Sequence, residues 1–154
     1  KPLTSSIQSA LLGNDPQTEI TFNQYDDKGN ILQYTAKDGI VHSFIWGYNK
    51  QYPVAHIVGV DYNTASALVN LTVINAATTT DQDMRTELDK LHTGITNQLS
   101  QVTTYTYIPL VGIKTVKDVN NKLITYEYDN FYRLKLVRDQ DGNILSAQEY
   151  QYAQ

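Results

Sequence analysis

The 154-residue chain contains no cysteine, which excludes disulfide frameworks, thiolate zinc sites and cysteine nucleophiles. It has no apolar run approaching the roughly 20 residues of a transmembrane helix, so it is not expected to span a membrane itself. Basic residues are in deficit, 12 Lys and Arg against 16 Asp and Glu, for a net charge of -4. That balance argues against nucleic acid, whose phosphates call for clustered Lys and Arg. A phosphate-cradling glycine loop, a dinucleotide fingerprint and a Gly-x-Ser-x-Gly nucleophile elbow are all missing. Phe and Trp are scarce as well, at 3 and 1, whereas Tyr occurs 12 times.

What is present points to sheet. Hydrophobic residues at 41% suffice for a core, and the length suits one domain or a slice of a larger protein. The tyrosine excess fits rings lying on half-exposed sheet faces, body packed and hydroxyl wet. The chain opens on Lys1-Pro2 with no signal segment following, and reads as a fragment or processed product.

Periodicity divides the chain into a lead-in or linker over 1–17, a β-repeat block over 18–62, a helical hairpin over 63–101 and a second β-repeat block over 102–154. In the first block, residues 19–25, 31–37, 40–48 and 54–60 read as strands, with turns at Asp26-Asp27-Lys28-Gly29-Asn30 and at Asp38-Gly39. Pro53 marks a break or an edge position. In the middle block Met84, Leu88, Leu91, Ile95 and Leu99 fall on one helical face, with Thr80 as N-cap and Asp81 and Asp83 in the first turn. An earlier helix is expected over 65–76, although the stretch is rich in β-branched residues. The second block returns to strands over 103–108, 111–117, 123–128, 134–138 and 144–152.

The two β blocks echo each other. Tyr25-Asp26-Asp27-Lys28-Gly29-Asn30-Ile31-Leu32 answers Tyr128-Asp129-Asn130-Phe131-Tyr132-Arg133-Leu134, and Lys37-Asp38-Gly39-Ile40 answers Asp139-Gln140-Asp141-Gly142-Asn143-Ile144. Short strands with fixed Tyr-Asp and turn punctuation mark an array in which each unit lends its edge to the next.

On these residues the chain resembles the bacterial RHS or YD-repeat proteins. Tyr126-Glu127-Tyr128-Asp129-Asn130-Phe131-Tyr132-Arg133-Leu134, then Asp139-Gln140-Asp141-Gly142 and Tyr150-Gln151-Tyr152, follow that repeat. Tyr132 departs from it, standing where the repeat usually has Gly at a position suited to positive φ, so a locally different turn is expected. The stretches from Ile45-Trp46-Gly47-Tyr48 to Pro53-Val54-Ala55 and from Thr103-Thr104-Tyr105 to Val111-Gly112 resemble two signatures flanking a helical hairpin near the C-terminal end of large RHS-like proteins of Bacteroidetes type. The resemblance spans about residues 20–154. It implies a mainly β (α+β) fold of antiparallel YD-type repeats, part of a sheet array or shell, with an inserted helical hairpin. It also implies a cell-surface or secreted location in the bacterial envelope. The expected role is non-enzymatic and structural, continuing or capping a β-repeat array. The partners would be neighbouring repeats of the parent chain or a protein of a surface complex.

His42, His56 and His92 have no second His at i+2 or i+4, the spacing of zinc-binding strands and helices, and read as surface or packing residues. Asp139-x-Asp141-Gly142-Asn143 could open a calcium loop, but position 150 is Tyr where the EF-hand loop has Glu, so the hairpin turn is favoured. Glu19, Glu127 and Glu149 on strands, and Asp83, Glu87 and Asp89 on the helix, are scattered carboxylates with no sign of a catalytic pair. Trp46, Tyr48 and Tyr52 form the best binding candidate, since aromatic faces stack on sugar rings. The competing reading has Trp46 anchoring the sheet to the helices and the tyrosines as cross-strand partners. A module binding envelope glycan or a protein partner is thus the alternative role. No catalytic residue, metal or cofactor is expected.

Overall fold

The computed structural model describes residues 2–12 and 15–150. The fold is mainly β, with ten antiparallel strands and three short helices among the described residues. It divides into two compact units, Lys1–Val102 and Thr103–Gln154.

The first unit carries β1 (Ser6–Ser9), β2 (Gln17–Tyr25), β3 (Ile31–Ala36), β4 (Val41–Gly47) and β5 (Tyr52–Val58), each paired with the next. β1 lies within the expected lead-in; Ile7 is its one apolar residue, too little for a period-two signal. Pro53 sits inside β5 rather than breaking it, opposite Trp46 where the β4–β5 register shifts. A bulge accommodates the missing N–H.

Three helices follow: α1 (Tyr62–Ser66), α2 (Leu71–Asn75) and α3 (Asp81–Gly94). The stretch expected as one helix over 65–76 is two, because Asn70 takes an extended conformation and its side chain accepts from the N–H groups of Thr72 and Val73. It thereby caps a new start. α3 opens as read, with Thr80 and Asp83 forming a capping box. It ends at Gly94, however, so Leu99 leaves the helical face and is 87% exposed.

On β4 the alternation of side chains puts Ser43, Ile45 and Gly47 under the helices. Val54, Ala55, Ile57, Ala65, Ile74, Met84, Leu88 and Leu91 complete a core from which solvent is nearly excluded. The other face carries Phe22, Tyr34, His42, Phe44 and His56, all half-buried.

The second unit is a meander of β6 (Gln101–Ile108), β7 (Gly112–Lys117), β8 (Leu123–Tyr128), β9 (Leu134–Arg138) and β10 (Ile144–Ala147). From Thr103 onward, among the described residues, only Thr104, Thr106 and Thr115 are buried and no apolar side chain is; Val102, the second residue of β6, is buried but falls in the first unit. Thr106 and Thr115 share a 2.7 Å hydroxyl bond. β10 is exposed at every position, including Ile144 and Leu145.

One turn geometry recurs. In Asp26–30, 118–122, 129–133 and 139–143 the opening aspartate's N–H donates to the carbonyl four residues on, at 2.8–3.0 Å. Its carboxylate Oδ1 accepts the N–H groups two and four residues on, at 2.8–3.0 Å. The turn 36–40 has the same backbone pattern with Ala36 in the aspartate's place. In every case the fourth residue is left-handed: Gly29, Gly39, Asn121, Tyr132 and Gly142, with φ between 60° and 84°. Tyr132 therefore does not divert its turn as expected; it adopts φ 60°. A left-handed non-glycine residue costs about 1–2 kcal/mol, and the Tyr132 side chain is 71% exposed, so its ring offsets little of this. Tyr132→Gly should raise stability by up to about 1 kcal/mol in urea unfolding, part of the gain being lost to glycine's freedom in the unfolded chain. A loss instead would show that the ring holds the turn.

Candidate functional site

Trp46 ties three elements together. Its indole N–H donates to the Ile31 carbonyl at 2.9 Å, and its own carbonyl accepts from the Asn75 amide at 3.1 Å. Asn75, on α2, also accepts the Lys50 N–H at 2.7 Å and donates to the Leu71 carbonyl at 3.0 Å. Between β4 and β5 the chain takes three successive left-handed residues, Tyr48, Asn49 and Lys50, with φ of 52°, 59° and 61°. Such a run is unfavourable for L-residues. Opposing that strain are the Gln51 N–H on the Gly47 carbonyl at 2.9 Å and the Tyr48 N–H on the Ile74 carbonyl at 3.1 Å.

The turn between β2 and β3 is clipped to this segment. Lys50 Nζ pairs with Asp27, Lys28 Nζ donates to the Asn49 carbonyl, and the Asn30 amide donates to the Lys50 carbonyl at 3.0 Å. The hydrogen-bonded Lys50 ammonium holds the Asp27 carboxyl below the usual range, and Asp27 holds the Lys50 amine above its own. A cleft of about 450 Å³ opens here, with Leu32, Trp46, Tyr62 and Leu71 as its apolar walls and Asp26, Asp27 and Lys50 among its polar ones. Burial, and then the charge of Asp26, push the Tyr62 phenol up.

The three aromatic candidates do not converge. Trp46 lines the cleft; Tyr48 and Tyr52 do not. Those two meet each other edge-to-face, 5.7 Å between centroids at 87°. The cleft's polar groups are largely engaged by the fold: Asp26 accepts two backbone N–H groups and the Asn30 amide, and Asn75 is bonded at both ends.

The other candidates are similarly occupied. Both oxygens of Asp139 serve its turn, Oδ1 as described and Oδ2 accepting the Asn143 amide at 2.9 Å. Those bonds, the Asn143 amide first, hold Asp139 below the usual carboxylate range. Glu19 accepts from Ser9 and Lys37, Glu127 pairs with Arg138, and Glu87 accepts the Asn70 N–H and pairs with Lys90. Among the described residues no group of three or more His, Asp or Glu side chains is placed to hold a metal ion.

The arrangement that sequence spacing missed is His42 with His56. Nδ1 of the first and Nε2 of the second lie 3.0 Å apart. The scan for His at i+2 or i+4 could not find them, because the pair is made across a hairpin. The register Phe44↔His56 and His42↔Val58 sets the two rings diagonally on one face. Tyr34 stacks on His42 at 4.6 Å and Phe44 on His56 at 4.8 Å, the spacing of neighbouring strands. Comparison of the chain with protein families and with curated proteins found no match.

Proposed function

We propose that this chain is a non-enzymatic structural segment of an RHS/YD-repeat protein of the bacterial cell surface or secreted space, continuing or capping a β-repeat array. The observation that carries the reading is the contrast between the two units. The first has a closed apolar core, whereas the second, from Thr103 onward, has no buried apolar side chain among its described residues. Its last strand, Ile144-Leu145-Ser146-Ala147, bares aliphatic side chains and has no charge or proline to discourage pairing. Edge strands that must stay single are normally guarded by such residues. A sheet of this kind gains burial and hydrogen bonds from a neighbouring strand, which is how a repeat unit is stabilised in an array. The recurring aspartate turn supports the same reading, since it sets successive hairpins by one local rule. The envelope location and the family rest on the Tyr-Asp motifs themselves.

Glycan binding is the weaker reading. The cleft beside Trp46 supplies apolar walls, but the indole N–H and the Asp26 and Asn75 side chains already serve the fold. Sedimentation velocity on the whole chain over a hundredfold concentration range, with hydrogen exchange on the same samples, tests the structural role. Association should grow with concentration, and slow exchange should lie in β4, β5 and α3 while β8–β10 exchange early. A monomer at all concentrations, with β8–β10 protected as well as β4 and β5, would overturn it.

A further inference from the structure

We infer that His42 and His56 form a single proton-holding unit that fastens the helix-free face of the first unit's sheet and releases it when a second proton arrives. The inference is independent of the array reading. It begins with geometry: the ring planes are 14° apart and the centroids 5.3 Å apart. That separation is what the 3.0 Å gap and the two ring radii add up to, so the nitrogens face each other head-on and nearly in plane. In the neutral pair one ring must donate and the other accept, since each neutral imidazole has one N–H and one bare nitrogen.

Proton uptake then follows a fixed order. A first added proton settles on the outer nitrogen of the donor ring, leaves the N–H···N bond in place and strengthens it by charge. A second must enter the gap, where N–H would face N–H, and the bond breaks with two like charges side by side. The surroundings sharpen this. Tyr34 of β3 covers His42, Phe44 of β4 covers His56, and Phe22 of β2 flanks Tyr34. Tyr34 is the titratable ring stacked on His42, with Tyr25 beyond Phe22, and burial pushes the Tyr34 phenol up, so it stays neutral in mild acid. Burial, with the charge of His42 in second place, holds His56 below the usual imidazole range.

The sign of the pH effect follows. Above the ordinary imidazole value of about 6.5 His56 is neutral in both states and its contribution to stability is undiminished. As pH falls below it, the unfolded chain takes up a proton that folded His56 resists, and stability is lost until folded His56 also titrates. This is the reverse of a histidine stabilised by a carboxylate.

The test is long-range ¹H–¹⁵N NMR of the histidine rings in the whole chain, from pH 8 to pH 4.5. Expected is a scalar coupling across the hydrogen bond from His42 Nδ1 to His56 Nε2 at pH 8, kept through the first uptake and lost with the second. Both rings should move in two shared steps separated by more than about one pH unit, as strongly coupled sites do. In His42→Phe, which keeps a ring against Tyr34, His56 should titrate in one step. Absence of the coupling at pH 8, or two rings each titrating once and indifferent to the other's replacement, would overturn the inference. The coupling in the unaltered chain decides the matter even if the variant does not fold.

Discussion

Leu88→Ala is expected to cost about 2–5 kcal/mol of stability, the range for deleting a leucine side chain inside a packed core. Leu88 is 1% exposed, between Met84 at 2% and Leu91 at 0% on the same stripe of α3. Apolar spacing of this kind reads as core before it reads as a groove for a partner, and the two possibilities differ in this number. A groove residue facing water would lose only a few tenths of a kcal/mol on truncation, whereas a seam residue leaves a cavity its neighbours cannot fill. Leu99→Ala is the built-in control. Leu99 continues the helical spacing in sequence but lies beyond the end of α3 and is 87% exposed, so its loss should fall within about 0.5 kcal/mol. Urea unfolding of the two variants side by side checks both. Near-equal effects would mean that α3 is not seated as described.

That contrast also shows how far the sequence could be read. The aspartate turns were legible because their chemistry is local: an aspartate side chain bonds N–H groups two and four residues away, and a left-handed residue follows at a fixed offset. Strands on either side of them fall within a residue or two of their expected bounds, except that β10 ends at Ala147 where a strand was expected over 144–152, of which 151 and 152 lie outside the described residues. α3 began where Thr80 and Asp83 said it would, for the same reason. Its end falls short of the apolar spacing, which runs on through Ile95 and Leu99, because the backbone turns at Ile95 to an extended conformation, φ -92° and ψ 98°. The break at Asn70 was written in a residue type that favours N-caps, but a run of apolar neighbours, Leu68, Val69, Leu71, Val73 and Ile74, outweighed it. The Trp46 indole bonds to Ile31 of β3, while its link to Asn75 of α2 runs through the backbone carbonyl, a contact that residue type alone does not signal. The histidine pair was not legible, since it depends on a register that the bulge opposite Trp46 helps to set. Long-range pairing is the part that local patterns do not encode.

Gly47→Ala should destabilise the first unit by about 1–3 kcal/mol, the cost of overpacking a close-packed site. A Cβ at this position would stand 2.8 Å from Ile74 Cγ2, 2.8 Å from Val54 Cγ1 and 3.2 Å from the Ile74 carbonyl. Real contacts of that kind require something to move, and neither neighbour can move cheaply. Both side chains are fully buried and branch at Cβ, so their rotamers are restricted. What yields instead is the seating of α2 on β4. The Ile74 carbonyl accepts the Tyr48 N–H, and Asn75 next to it holds the Lys50 N–H and the Trp46 carbonyl, so a shift of α2 loosens the left-handed segment 48–50 as well. The variant should therefore show two effects together: a lower urea midpoint, and a change in Trp46 fluorescence under native conditions as the indole's surroundings open. Gly39→Ala separates this steric effect from a conformational one. Gly39 has nothing within 4 Å of its added carbon but holds φ 81°, so its cost comes from backbone strain alone, without the fluorescence change. If Gly47→Ala left both midpoint and fluorescence unaltered, α2 would not be packed on β4 at Gly47, and the anchoring of Trp46 through Asn75 would fall with it.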